Sequence, residues 1–258
     1  MRATVNIVNL GRMAFSDALN IQHTLSRMHL DHLAGKTTTP GKNTLLLVEH
    51  PPVFTIGYRT DENVDKTDEE RLKNLGADFH KIRRGGLVTF HGPGQLVAYP
   101  VLNLRDFKKS IRWYVCCLEK SLIKTCAKLG VTASITSDIG VWVNRNKIAA
   151  LGISARRFVT THGISLNCNT DLDWFSHIVP CGISGEEKGV TSLSKELDRD
   201  VTVEETAELF VDSFCEIIDC DSVHKDQLVV DVRPIISKSA MSNSENQPAT
   251  LLGFHKIV

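Results

Sequence analysis

Apolar positions along the chain fall into two rhythms. Phe15, Ala18, Leu19, Leu25, Met28 and Leu33 recur at the spacing of one helix face, and Gly35 supplies a stop just beyond them. Ile111, Tyr114, Val115, Leu118, Leu122 and Cys126 form a second stripe within 110–129, closed by Gly130. A third begins at Thr202, whose spacing from Glu205 is that of a capping box, and carries Ala207, Phe210, Val211, Phe214 and Ile217 inward. Thr67 with Glu70, followed by Gly76, marks a shorter helix.

The second rhythm is that of strands. Residues 3–10, 45–49, 53–57, 77–83, 87–91, 96–101, 139–144, 147–153 and 159–166 read as β, and the turn at Arg145-Asn146 is short enough for a hairpin. The pattern predicts an α+β class with largely antiparallel sheets packed against helices. Residues 36–43 (KTTTPGKN) read as a surface loop, and 237–249 as a polar, flexible stretch. One domain is therefore expected over 1–235, with a tail over 236–258.

One stretch resists assignment. RGGLVTFHGPGQ, from Arg84 to Gln95, sets a fluent strand between pairs of glycines. Either it is an ordinary hairpin, or something approaches the main chain where a Cβ would be in the way.

Composition narrows the chemistry. The chain has 258 residues, 42% of them apolar, which is ample for a packed core. Thirty basic residues balance thirty acidic ones, so no net field draws it to nucleic acid or to an anionic membrane. No apolar run reaches the ~18 to 20 residues of a membrane span. Seven cysteines without a CxxC pair suit a reducing compartment and free thiols. Arg2 and Arg12, with no acid before Asp17, suit organelle import, although 3–10 (ATVNIVNL) alternates as a strand of the fold would.

No phosphate-binding glycine motif is present, so nucleotide use is not indicated, and no cofactor is expected. His91, His162 and His177 lack paired ligand spacing, and no metal site is expected. Cys126, Cys215 and Cys220 read as structural, on or beside helices. Cys181 differs: it sits in IVPCGI, where Pro180 fixes the backbone before the thiol and Gly182 relieves crowding after it. That makes it the candidate nucleophile.

RGGLVTFHGPGQ, KIAALGI at 147–153, HGISLN at 162–167 and VPCGI at 179–183 together resemble the octanoyltransferases of lipoate biosynthesis, the lipoate-protein ligase B type. EHPPVFTIG at 49–57 and GVTSL at 189–193 match as well. The resemblance runs from about Val5 to Ile218, and 169–183 is most similar to the mitochondrial animal members. It implies the fold of biotin and lipoate protein ligases. It also implies an acyltransferase that moves an octanoyl group from octanoyl-acyl carrier protein, through a cysteine thioester, to a lysine of a lipoyl domain. Such domains occur in the glycine cleavage H protein and in 2-oxo-acid dehydrogenase subunits, and the setting implied is the mitochondrion.

Carried over residue by residue, the resemblance makes Cys181 the nucleophile and Lys147 the lysine that lowers its pKa, since an adjacent ammonium favours thiolate. Substrate binding maps to Arg84, Gly85, Gly86, Leu87, Val88, Thr89, Phe90 and His91, to Ala150, Leu151 and Gly152, and to Gly163, Ile164 and Ser165. Ser165 departs from the family's more frequent alanine, and the tail has no family counterpart. Read on its own, Lys147 on a hairpin is a solvated surface lysine, and His91 either contacts substrate or satisfies a neighbouring backbone group. An eight-carbon chain calls for an apolar tunnel, with Gly85, Gly86, Gly152 and Gly163 in its walls. Two other kinds of function share these features: an ATP-dependent lipoate or biotin ligase, and a noncatalytic module that binds lipoyl domains or carriers. A reactive Cys181 separates them from the transferase.

Overall fold

The computed structural model describes residues 2–57, 66–85, 87–178 and 188–224. The expected boundary at 235 and the tail over 236–258 lie outside these residues. Strand β1 (Ala3–Arg12) leads into helix α1 (Phe15–Leu33), and then β2 (Thr44–Glu49), β3 (Val53–Gly57), helix α2 (Lys66–Asn74), β4 (Asp78–Ile82), β5 (Thr89–His91) and β6 (Gln95–Val101) follow. Next come α3 (Ile111–Lys128), β7 (Val141–Val143), β8 (Asn146–Arg156), β9 (Val159–Asn167), β10 (Gly189–Val190), α4 (Leu193–Leu197), α5 (Val203–Ile218) and β11 (Cys220–His224).

Helix ends follow the local chemistry. The Ser110 hydroxyl accepts from the Trp113 amide at 3.2 Å, and the Thr202 hydroxyl accepts from the Glu205 amide at 3.1 Å, each satisfying an otherwise unpaired N–H of the first turn. Gly130, at φ +85°, turns the chain out of α3. Helix α2 starts at Lys66, so Thr67 lies inside it rather than at its cap. The β7–β8 hairpin turns on Asn144-Arg145, one residue earlier than the sequence spacing suggests, with Asn144 left-handed at φ 52°.

The large sheet runs β10-β8-β9-β6-β2-β1-β11, with β7 also paired to β8; the small sheet runs β4-β3-β5. Hairpins make β7, β8 and β9 antiparallel, but β1 is parallel to β2 and to β11, β3 to β4, and β8 to β10. Short turns predict only the pairing of strands adjacent in sequence; the parallel pairs are joined through helices or long connections, which carry no such local signal. One core, including Leu96, Leu118, Leu166 and Phe214, fills the space between the large sheet and α3 with α5. A second, including Phe15, Ile21, Val97 and Tyr99, packs α1 on the opposite face. A third gathers aromatic rings behind the small sheet. No described helix is long and apolar enough to cross a membrane.

RGGLVTFHGPGQ is not a simple hairpin. It carries the chain from the small sheet, where β5 pairs with β3, to the large one, where β6 pairs with β2 and β9. At Gly94, φ +76°, a side chain would run into the Asn169 carbonyl; the Gly94 carbonyl in turn accepts from the amides of Cys168 and Asn169. This glycine serves a close approach of the chain to itself.

Candidate active site

A cavity of about 480 Å³ lies where the small sheet meets β8 and β9. Its size falls within the ~300 to 1,000 Å³ usual for small-molecule sites. One wall comes from Arg84, Gly85, Leu87, Thr89 and His91. The facing wall is the β8–β9 ladder, where Ala150, Leu151 and Gly152 stand opposite Ser165, Ile164 and Gly163. Strand alternation sorts the rest. Thr89 and His91 face the cavity, whereas the fully buried Phe90 ring points away and stacks on Trp174 at 5.0 Å, beside Phe54 and Phe175. Val88 is half-buried and is not part of the cavity wall. Gly86 lies outside the described residues.

The glycines have separate reasons. A Cβ on Gly152 would press on the Arg84 side chain and on the Gly85 carbonyl, so here the glycine admits the loop that forms the wall. A Cβ on Gly163 would collide with the Ala98 carbonyl of β6, so this glycine answers to the sheet. Arg84 folds back on the protein: its guanidinium donates to the Thr55 carbonyl and hydroxyl, both at 2.8 Å, and to the carbonyls of Gly85 and Leu87. The Gly85 amide donates to the Ile153 carbonyl at 3.1 Å, fastening this loop to β8.

Lys147 is not a surface lysine. It is 5% exposed, with Nζ 4.8 Å from the centre of the Trp142 ring. The ring face is a favourable place for an ammonium group. A side chain on Gly140 would clash with the Lys147 stem, so the turn before β7 forms one wall of the lysine's channel. Lys188 approaches the same ring at 5.7 Å and pairs with the Asp138 carboxylate, while the Trp142 indole N–H donates to the Asp138 carbonyl. The Lys147 carbonyl accepts from the Thr191 amide at 3.0 Å, tying β10 to this spot. Cys181 lies in 179–187, outside the described residues. On either side of that segment, Phe175 and Val190 border a small recess shared with Lys147, Gln95 and Asn167.

Away from Lys147 the cavity ends in buried rings. Tyr99 donates its hydroxyl proton to His50 Nε2 at 2.8 Å, and His50 Nδ1–H donates to the Met13 carbonyl at 2.7 Å. Gln95 donates through its amide nitrogen to Phe90 and Asn167, so its oxygen accepts from His91 Nδ1–H at 2.7 Å. This settles the bond that His91 makes: it is to the Gln95 side chain, while the ring still borders the cavity. The His162 amide donates to the Gln22 side chain of α1. Burial pushes His50 down to about 4 and His91 and His162 down to about 3, with the Arg84 guanidinium acting in the same direction on the latter two, so all three are neutral near pH 7. Among the described residues no cluster of side chains could hold a metal ion.

Three of the described cysteines, Cys117, Cys126 and Cys168, are poorly placed for nucleophilic work. Burial pushes the Cys126 and Cys168 thiols up to about 12 and the Cys117 thiol up to about 11. Trp142, Asp138, Lys188, Phe15 and Tyr99 do not stand out in sequence reasoning. Phe15 reads as helix core, Tyr99 as strand, and the other three acquire meaning only beside Lys147.

A family model described as the lipoyl protein ligase A/B catalytic domain matches residues 20–215. The mitochondrial octanoyl-acyl-carrier-protein:protein N-octanoyltransferase of Danio rerio is 52% identical over 227 residues, covering 88% of this chain and 98% of that protein. Its Homo sapiens namesake is 42% identical, covering 86% and 96%. A solved structure of a bipartite lipoate protein ligase from Thermoplasma acidophilum superposes with a TM-score of 0.64 at 16% identity, covering 92% and 91%, which speaks for the fold.

Proposed function

Because the chain belongs to the lipoyl protein ligase A/B catalytic-domain family, we propose that it is a mitochondrial octanoyltransferase working through Cys181 and Lys147. The observation that carries this reading is a buried lysine, cradled by Trp142, at one end of a largely apolar cavity. The donor is octanoyl-acyl carrier protein. The acceptors are lysines of lipoyl domains, such as those of the glycine cleavage H protein and 2-oxo-acid dehydrogenase subunits.

The Cys181 thiolate attacks the donor's thioester carbonyl; the carbonyl carbon's bond to the carrier sulfur breaks, and the carrier leaves as a thiolate that takes up a proton. The octanoyl group is now a thioester on Cys181. A neutral amine of the acceptor lysine attacks the same carbon, the amide forms, and Cys181 leaves with the bonding electrons while the amine loses a proton. Exchange between thioesters is nearly even in free energy and the amide is downhill, so no nucleotide is consumed. An unperturbed thiol at pKa ~8.5 is only a few per cent ionised near neutrality, which gives Lys147 its role: a nearby ammonium raises the thiolate fraction. The cavity contributes by burying the chain at ~0.8 kcal/mol per methylene.

Incubating the protein with octanoyl carrier protein and no ATP should add one octanoyl mass, labile to hydroxylamine and mapping to Cys181. Cys181→Ser should fold and lose nearly all turnover. An adduct on another cysteine, or acylation only with ATP, would shift the assignment to an adenylating ligase on the same fold.

A further inference from the structure

We propose that Phe15, the first residue of α1, is the gauge that sets how long an acyl chain the cavity accepts; the proposal rests on the octanoyl-transfer reading above. The rim of the cavity is marked by apolar side chains open to solvent, Ile139 at 65% and Leu87 at 39% exposure. Its floor is marked by side chains that are almost wholly covered: Phe15, Ile82 and Tyr99. Lys147 lies near the start of β8, and Ile153, opposite His162, six positions further on. Tyr99 meets His162 at 6.4 Å and His50 at 5.9 Å, and Phe15 meets His50 at 5.5 Å, so a chain with its carboxyl carbon at Lys147 that runs along the β8–β9 ladder ends against Tyr99 and Phe15.

Phe15 is packed on several sides. Its ring lies parallel to His91 at 6.5 Å, tilted against His80 at 5.1 Å and edge-on to His50 at 5.5 Å. The residues ahead of it are pinned. The Met13 amide donates to the Glu49 carbonyl at 3.0 Å, and the Met13 carbonyl accepts from His50, which Tyr99 in turn holds. Behind it, Ala18, Ile21 and Leu25 bury α1 on the sheet, so the helix cannot slide to admit a longer tail. Length discrimination needs a wall of this kind, since a yielding one would accept each added methylene and gain from it.

Phe15→Ala and Phe15→Leu lower the floor, while Phe15→Trp raises it. Measured with hexanoyl, octanoyl, decanoyl and dodecanoyl carrier protein, the decanoyl-to-octanoyl ratio of kcat/KM should rise roughly tenfold in Phe15→Ala, about the value of two buried methylenes, and less in Phe15→Leu. In Phe15→Trp, hexanoyl should gain on octanoyl. Leu25→Ala, which weakens the same helix away from the cavity, should leave every ratio unchanged. Calorimetric binding of hexanoate, octanoate, decanoate and dodecanoate to the same proteins reads the floor without turnover, so a wrong reaction and a wrong gauge give different results. Ratios that stay fixed across the Phe15 variants in both measurements, or that move equally in Leu25→Ala, overturn the proposal.

Discussion

The two ends of the cavity solve opposite problems with the same strands. At the floor, histidines packed against Phe15 and Tyr99 are driven neutral by burial; both ring nitrogens of His50 are spent on Met13 and Tyr99, and Nδ1 of His91 on Gln95. At the other end, two lysines crowd one tryptophan, with the Asp138 carboxylate alongside. Desolvation lets a histidine discard its proton cheaply, which suits an apolar tail. At the other end Lys147 lies over an aromatic face and Lys188 pairs with Asp138, surroundings of a kind that favour a cation. What separates the ends is which neighbours the fold supplies, since Lys147 is as deeply buried as His91 and His162.

The sharpest way to break this contrast is to remove the charge. Lys147→Met keeps the length of the side chain and should slow acylation on the order of 10²-fold, the scale of a lost proton-handling group. The apparent pKa of Cys181 should rise in parallel. Iodoacetamide labelling of Cys181 against pH in both proteins is the measurement, and superimposable curves would take Lys147 out of the mechanism.

A gentler perturbation removes the cradle and leaves the lysine. Trp142→Leu should lower the acylation rate by about tenfold, within the ~0.5 to 2 kcal/mol of a cation–π contact, and Trp142→Phe should recover part of it because the ring face remains. Equal rates in the leucine and phenylalanine variants would assign Trp142 to packing alone.

The floor is tested by pH. The folded-state values of His50, His91 and His162 lie near 4, 3 and 3, below the ~6.5 of an unfolded chain. Between those limits the unfolded chain binds protons that the folded one refuses. Their contribution to stability is therefore complete above about pH 6.5 and is lost as pH falls toward 4, by up to ~1.4 kcal/mol per pH unit for each group. His162→Asn should make the slope shallower by about one proton, since asparagine tolerates the left-handed φ of 57° found there. Urea unfolding at pH 7, 6 and 5 checks this, and an unchanged slope would mean that His162 is not among the titrating groups.

Much of the site could be read from the residues before any fold was known. Arg84, Gly85, His91, Lys147, Gly152 and Ser165 announce themselves through motifs, and the cavity gathers them from segments up to 81 residues apart. Phe90 shows the limit: a motif spans consecutive residues, but a strand sends alternate ones to opposite faces, so a run of eight cannot all line one cavity.

What the chain determines by itself is local. Helix stripes, the caps at Ser110 and Thr202, the stop at Gly130 and the β7–β8 and β8–β9 hairpins depend on residues within a few positions of one another. Tertiary structure alone decides the parallel pairing of β1 with β2 and β11, the crossing of RGGLVTFHGPGQ from one sheet to the other, and the burial of Lys147 over Trp142. It alone also carries Phe15 to the floor of a cavity whose walls begin some seventy positions later. The physical reason is that periodicity reports which face of an element is apolar, whereas the identity of what covers that face is settled only when distant elements compete to bury it.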